Sequence, residues 1–312
     1  MANLTLKQLR YFEALALHGH FGRAADTCAI SQPALSMQIK DLEETVGTAL
    51  FERGARQVRL TNFGEEFALR ASGILRSVDE LADLARASHD RLIGRLRMGV
   101  IPTIAPYLLP TIIGNLTAMN ADLEIHIRET VTPKLLQELA DGRLDMALVA
   151  LPVSEPSLTE VALFSEEFVL VRPAKDAGQP TPDRAALREM RLLLLEEGHC
   201  FRDQALSFCD GASARPREML DASSLATLVQ MVSAGIGVTL IPEMAISVET
   251  RSAAVCVTRF SHPQPTRTIG MIWRKTSPLV KQLLQISDVV CQSVNAVRAQ
   301  HGALAAPGTG RV

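Results

Sequence analysis

The sequence predicts an all-helical N-terminal region, one long connecting helix, and a C-terminal α/β region built on a parallel sheet. Three observations predict it. Residues 1–60 carry apolar residues at helical spacing between short breaks. Residues 61–90 keep one uninterrupted helical period. Residues 94–298 alternate strand-like and helix-like segments. At 312 residues, two or three domains are expected.

The first helices come in quick succession. Leu6, Leu9 and Phe12 share a face, His18-Gly19-His20 interrupts, and Phe21 to Cys28 forms a short helix with small residues at Ala24 and Ala25. Ser31 is placed to cap the next helix, with Pro33 in its first turn. Leu35, Ile39, Leu42 and Val46 then make a buried stripe. The opposite face carries Pro33, Ser36, Met37 and Lys40, with Gln32 at its edge and Gln38 beside the stripe. A helix that enters a major groove to read base edges needs such a small, polar face. After Gly47, the run LFERGARQVRLT places Arg53, Arg56 and Arg59 around a turn, with Val58 and Leu60 alternating. That predicts a two-stranded wing with arginines at phosphate. A solvated basic loop is the plainer reading of that segment alone.

Thr61 is placed to cap the long helix. Phe67, Ala71, Ile74, Val78, Leu81 and Ala85 are spaced 4, 3, 4, 3, 4, a heptad seam expected to pair two copies. The same spacing also fits a helix lying on its own domain.

The remainder reads βαβαβ: a strand at 96–100, a Pro-punctuated helix through Leu109, a strand at 123–129, a helix at 132–140 and a strand at 144–150. Strands at 161–172 and 192–195 open a second lobe, with a helix at 223–235 and a strand at 238–242. A strand at 266–274 and a helix at 278–298 return to the first lobe. Thr103 and Thr132 stand at strand carboxyl ends, where ligands bind in such sheets, though each can be only a helix cap.

Composition excludes several classes. Net charge is −2 and residues 1–60 hold 7 basic against 6 acidic residues, so any nucleic-acid signal lies in placement. Five cysteines are too few for a disulfide scaffold. The N-terminus has no apolar leader core, and the uncharged stretch 98–121 is broken by Pro102, Pro106 and Pro110. A cytoplasmic, reducing location, no membrane contact, no cofactor and no metal are the expectations.

The segment EEGHCFRDQALSFC, residues 196–209, follows four leucines. Cys200 is expected in the first turn of a helix, with His199 and Arg202 beside it to favour the thiolate. Over a helical 200–209 the chain rises ~13.5 Å and turns ~900°, which puts the two thiols on opposite faces. A disulfide needs Cα atoms within roughly 7 Å. A Cys200–Cys209 bond would therefore require the helix to unwind. Two unrelated core cysteines remain the alternative on spacing alone.

AADTCAISQPALSMQIKDLEETVGTALFER followed by RLTNFG resembles the winged helix-turn-helix of the LysR-type transcriptional regulators. The resemblance implies a winged helix-turn-helix over 1–60, a linker and dimerisation helix over 61–90, and a two-lobed, periplasmic-binding-protein-like effector domain over 91–300 ahead of a flexible tail, 301–312. It implies double-stranded promoter DNA and RNA polymerase as partners and a homotetramer. DNA contact carries over to Ser31, Gln32, Pro33, Ser36, Gln38 and Arg53. The cysteine segment, IPTIAPYLLP, SLATLVQMVSAGIGVTLIP and RTIGMIWR are similar to the hydrogen-peroxide-responsive members of that family. In them Cys200 would be peroxidatic and Cys209 resolving. Thr103, Thr132, His199, Asp203 and Arg267 would bind or polarise peroxide. Cys28, Cys256 and Cys291 receive no redox role. A regulator answering to a small organic inducer, or a thiol peroxidase, are the rival functions.

Overall fold

The computed structural model describes residues 4–52, 58–88, 94–209, 219–260 and 264–304. It divides into two compact units, Met1–Ala85 and Arg86–Val312.

In the first unit, α1 (Leu6–His18), α2 (Phe21–Thr27) and α3 (Gln32–Val46) pack around Phe12, Leu15, Leu35 and Leu42. Thr5 caps α1 in a reciprocal box with Gln8. The His20 imidazole caps α2 by accepting from Gly22 and Arg23. Ser31 caps α3 through Ala34, as its position predicts. The wing exists: Phe51 bridges Leu60 in antiparallel fashion, and the amide of Glu52 donates to Arg59 O at 2.9 Å. Glu43 of α3 anchors its first strand by accepting from the amides of Leu50 (2.7 Å) and Phe51 (3.1 Å).

The long helix α4 (Asn62–Ala87) starts where Thr61 accepts from the amide of Gly64 at 2.9 Å. A side chain at Gly64 would meet the carbonyl of Leu50 at 2.1 Å, so only glycine lets the helix sit on the wing. The expected seam divides here. Phe67 and Ala71 are covered by the first unit's own core, together with Leu75. Ile74, Leu81 and Leu84 stay exposed on the single chain.

In the second unit the elements follow as β1 (Gly94–Val100), α5 (Ala105–Met119), β2 (Leu123–Glu129), α6 (Thr132–Ala140), β3 (Met146–Leu151) and β4 (Leu158–Pro173). Then come α7 (Arg184–Glu189), β5 (Leu192–Leu195), α8 (Cys200–Cys209), β6 (Met219–Ala222), α9 (Leu225–Ser233), β7 (Val238–Pro242), α10 (Ile246–Glu249), β8 (Val255–Thr258), β9 (Thr266–Arg274) and α11 (Val280–Leu304). The strand path is β2-β1-β3-β9-β4-β7-β5-β6, with β8 on β4. The expected parallel pairing holds within each lobe, for β1 with β2 and β3 and for β5 with β6 and β7. The strands that link the lobes run the other way. The strands β9 and β4 are antiparallel to each other and to their neighbours. β4 pairs with β9 between Leu158 and Glu167, with a register shift at Leu163, and with β7 and β8 through its last six residues, so it carries the chain from one lobe into the other.

Each lobe has its own core. One surrounds Met98, Leu148, Ile272 and Leu283, the other Phe168, Leu193, Val229 and Leu240. The helix expected to stop at Leu109 runs on to Met119 with Pro110 inside it. Packing overrides the breaker: Ile112 and Leu116 are fully buried, and Asn115 donates to Ser293 of α11 at 2.9 Å. Among the described residues, no helix is long and apolar enough to cross a membrane.

Candidate functional site

Four consecutive buried leucines form β5 and bring the chain to the edge of its lobe. The turn that follows needs Gly198, whose φ of +94° suits glycine and strains other residues. His199 is buried, and Cys200 opens α8 as expected. The Arg202 guanidinium ties the start of α8 back to the strands, donating to Leu195 O at 2.8 Å and to Asp221 at 2.6 Å. Phe201 meets Phe168 edge-on, with ring centroids 4.8 Å apart, and Phe208 meets Phe260 in the same way.

The cationic neighbours expected for Cys200 are otherwise engaged. Arg202 has its own carboxylate. Burial pushes the His199 imidazole below its ordinary pKa, against the weaker pull of Glu196, so it is neutral near pH 7. What remains beside the thiol is the helix N-terminus itself.

The other lobe supplies the facing wall. A tight hollow is lined by Pro102, Thr103, Val131, Thr132, His199 and Cys200, with Ile101 and Phe201 behind them. It is closed to a water-sized sphere. Neither threonine caps a helix. The N-caps are Ile104 for α5 and Val131 for α6, and neither makes a side-chain cap bond. Thr103 instead takes two bonds from Arg267: Nη1 donates to Oγ1 at 2.8 Å and Nη2 to the carbonyl at 3.0 Å. Thr132 Oγ1 is buried without a hydrogen-bond partner. A buried hydroxyl left open costs stability, and in a hollow beside a thiol it is a place for a ligand atom.

Of the sequence-predicted set, Thr103, Thr132, His199 and Cys200 therefore meet, and Arg267 stands directly behind Thr103. Asp203 does not join them: it is exposed to solvent one turn along α8. The backbone of Cys209 closes α8. Cys28 packs on the first unit's core, and Cys256 and Cys291 point sulfur at the carbonyls of Pro173 and Leu163. Burial pushes the thiols of Cys28 and Cys291 up, Asp288 adding to the effect at Cys291. Sequence reasoning missed Glu166, a buried carboxylate on β4 that grips Arg267, because it sits in no motif. It also missed Tyr107, whose hydroxyl crosses the lobes to donate to Glu249 at 2.7 Å. Tyr107 and Glu249 stand in a cleft of about 580 Å³ between the lobes, with Pro106, Lys134, Glu197 and Ser224 among its walls.

In the first unit, Ser31, Gln32, Pro33 and Ser36 are exposed along one end of α3, while Gln38 is half-buried beside Ile39. Arg53 lies outside the described residues.

Residues 6–65 match the model of the bacterial regulatory helix-turn-helix proteins of the lysR family, and residues 89–290 match the LysR substrate binding domain. The chain belongs to the LysR family. Within that family it is 45% identical over 274 residues to a probable hydrogen peroxide-inducible genes activator of Streptomyces viridosporus, covering 86% of this chain and 88% of that protein. It is 39% identical over 289 residues to the DNA-binding transcriptional dual regulator OxyR of Escherichia coli K12, covering 92% and 95%. A full-length OxyR variant from Pseudomonas aeruginosa superposes with a TM-score of 0.72 at 36% identity, over 92% of this chain and 95% of that one. The oxidized form of Corynebacterium glutamicum OxyR gives 0.61 at 32% identity, over 99% and 97%. LysR membership accounts for both units, the helix-turn-helix head and the two-lobed α/β body.

Proposed function

We propose that this LysR-family regulator is a transcriptional activator that senses hydrogen peroxide at Cys200. The observation that carries the reading is the hollow at the lobe junction, where the thiol at a helix N-terminus faces an open buried hydroxyl at Thr132 and an Arg267-backed hydroxyl at Thr103. The Cys200 thiolate attacks one peroxide oxygen and the O–O bond breaks. The other oxygen leaves as hydroxide and takes a proton to become water. Thr103 and Thr132 hold the two oxygens once the hollow, too tight for a water-sized sphere as it stands, widens to admit them; neutral His199 borders them, and Asp203 stays at the solvent-exposed side of α8. Cys209 then condenses with the sulfenic acid, releasing a second water and leaving a disulfide. That bond cannot close across an intact α8, since the two ends stand ~13.5 Å apart. Oxidation therefore unwinds α8 and repacks Phe201 and Phe208. One peroxide is consumed per switch, and glutaredoxin or thioredoxin systems of the cytoplasm reset it.

The exposed Ser31, Gln32, Pro33 and Ser36 read base edges in promoter DNA, with Arg53 on phosphate. Gln38 contributes least, being half-buried. Exposed Ile74, Leu81 and Leu84 of α4 pair two copies, and two such dimers form a tetramer that contacts RNA polymerase. The inter-lobe cleft favours one second reading, a small organic inducer, because about 580 Å³ is the size of a small-molecule site.

Thiol titration of the full chain before and after one equivalent of peroxide separates the two. The peroxide reading expects two thiols lost, none in Cys200→Ser, and a changed footprint on promoter DNA. No thiol loss, or identical footprints in both forms, overturns it.

A further inference from the structure

Glu166 and Arg267 are register partners on the antiparallel strands β4 and β9. Both side chains are excluded from water, at 2% and 0% exposure. Glu166 Oε2 accepts from Arg267 Nε at 2.9 Å and stands 2.8 Å from Nη2. Its Oε1 accepts from the amide of Met244 at 3.0 Å. The carboxylate is thus fixed at one end by backbone and holds one edge of the guanidinium at the other. The remaining donors are aimed at Thr103, and the Phe201 ring lies 5.4 Å from the guanidinium carbon.

The consequence lies at the Thr103 hydroxyl. Its oxygen already accepts from Arg267 Nη1, so its own proton is left to point elsewhere, and Thr103 lines the hollow that holds Cys200. When the O–O bond breaks, negative charge develops on the departing oxygen, and a donor held in place beforehand lowers that barrier. We propose that Glu166 is a positioning residue for the reaction of Cys200 with peroxide, acting through Arg267 to fix the hydroxyl of Thr103 as a donor into the hollow. The proposal rests on the peroxide reading above.

The test compares two reactions of Cys200 in the full-length protein. One is oxidation by hydrogen peroxide, followed as a second-order rate constant. The other is alkylation by iodoacetamide, which needs the thiol but no donor for a leaving oxygen. Glu166→Gln is expected to slow the peroxide reaction by about 10- to 100-fold, the range for a misplaced catalytic donor, and to leave alkylation unchanged. Arg267→Lys is expected to do the same, and the double variant to be no slower than the slower single one. An unchanged peroxide rate in Glu166→Gln, a parallel fall in both reactions, or losses that multiply in the double variant overturns the proposal. A wild-type Cys200 that is alkylated yet inert to peroxide sinks the peroxide reading itself, and this proposal with it. Thermal unfolding checks that each variant folds. If Glu166→Gln does not, Glu166→Asp, which keeps the charge on a shorter arm, takes its place, and the same ratio of rates decides.

Discussion

Arg267 donates to both the hydroxyl and the carbonyl of Thr103, at 2.8 and 3.0 Å, across 164 positions of sequence. Thr132, on the same hollow, has no partner at all for its hydroxyl. The two threonines should therefore answer oppositely to loss of the hydroxyl. Thr103→Val leaves a buried guanidinium donor unsatisfied and is expected to cost about 1–3 kcal/mol of stability. Thr132→Val removes an unsatisfied group and is expected to leave the melting temperature unchanged or higher. Both should slow oxidation of Cys200. Thermal unfolding and peroxide kinetics on the same samples check this, and a destabilised Thr132→Val would contradict it.

Phe208 holds the far end of α8 against Phe260, with the Arg184 guanidinium 4.6 Å from its ring. If the helix must open before the disulfide forms, weakening this clamp lowers the cost of opening. Phe208→Ala is expected to cost roughly 3 kcal/mol of stability. It should also accelerate the second phase of thiol loss, in which the sulfenic acid becomes a disulfide. A slower or unchanged second phase would count against unwinding as the limiting event.

His199 is neutral in the folded protein because burial depresses its pKa below the ordinary 6.5. Its folded pKa lies below the unfolded one, so the contribution to stability is complete above about pH 6.5 and is lost as the pH falls through the folded value. The melting temperature should drop on acidification through that window, and His199→Gln should flatten the drop. Identical pH profiles for the two proteins would refute the assignment.

Gly198 turns the chain from β5 into α8 at φ +94°. Gly198→Ala places a side chain in strained backbone and is expected to cost about 1–2 kcal/mol. Since the next residues are His199 and Cys200, the peroxide rate should fall as well. Calorimetry and thiol titration read the two effects separately, and an alanine variant of wild-type stability would show that the turn is not constrained.

Much of this molecule follows from local rules. Cap residues and helical period place α3 after Ser31 and α4 after Thr61, and four leucines with Gly198 place Cys200 at the head of a helix. These features depend on neighbours within a turn or a strand, and such neighbours are visible in the chain. The family and its two-part architecture were legible for the same reason, through SQPALS and EEGHCFRDQALSFC. Other features were decided only when distant segments met. The spacing around Thr103 and Thr132 fits a cap as well as a binding group, and only the presence of Arg267 and the absence of any partner for Thr132 separates the two. Arg202 read as a cation for Cys200 until Asp221 claimed it. Pro110 read as a helix end until α11 covered the far side of α5. Glu166 carried no signal, because its meaning is a cross-strand pairing 101 residues long in a place without water. Periodicity and caps are local properties of a sequence, whereas desolvation and the choice of hydrogen-bond partner belong to the assembled core.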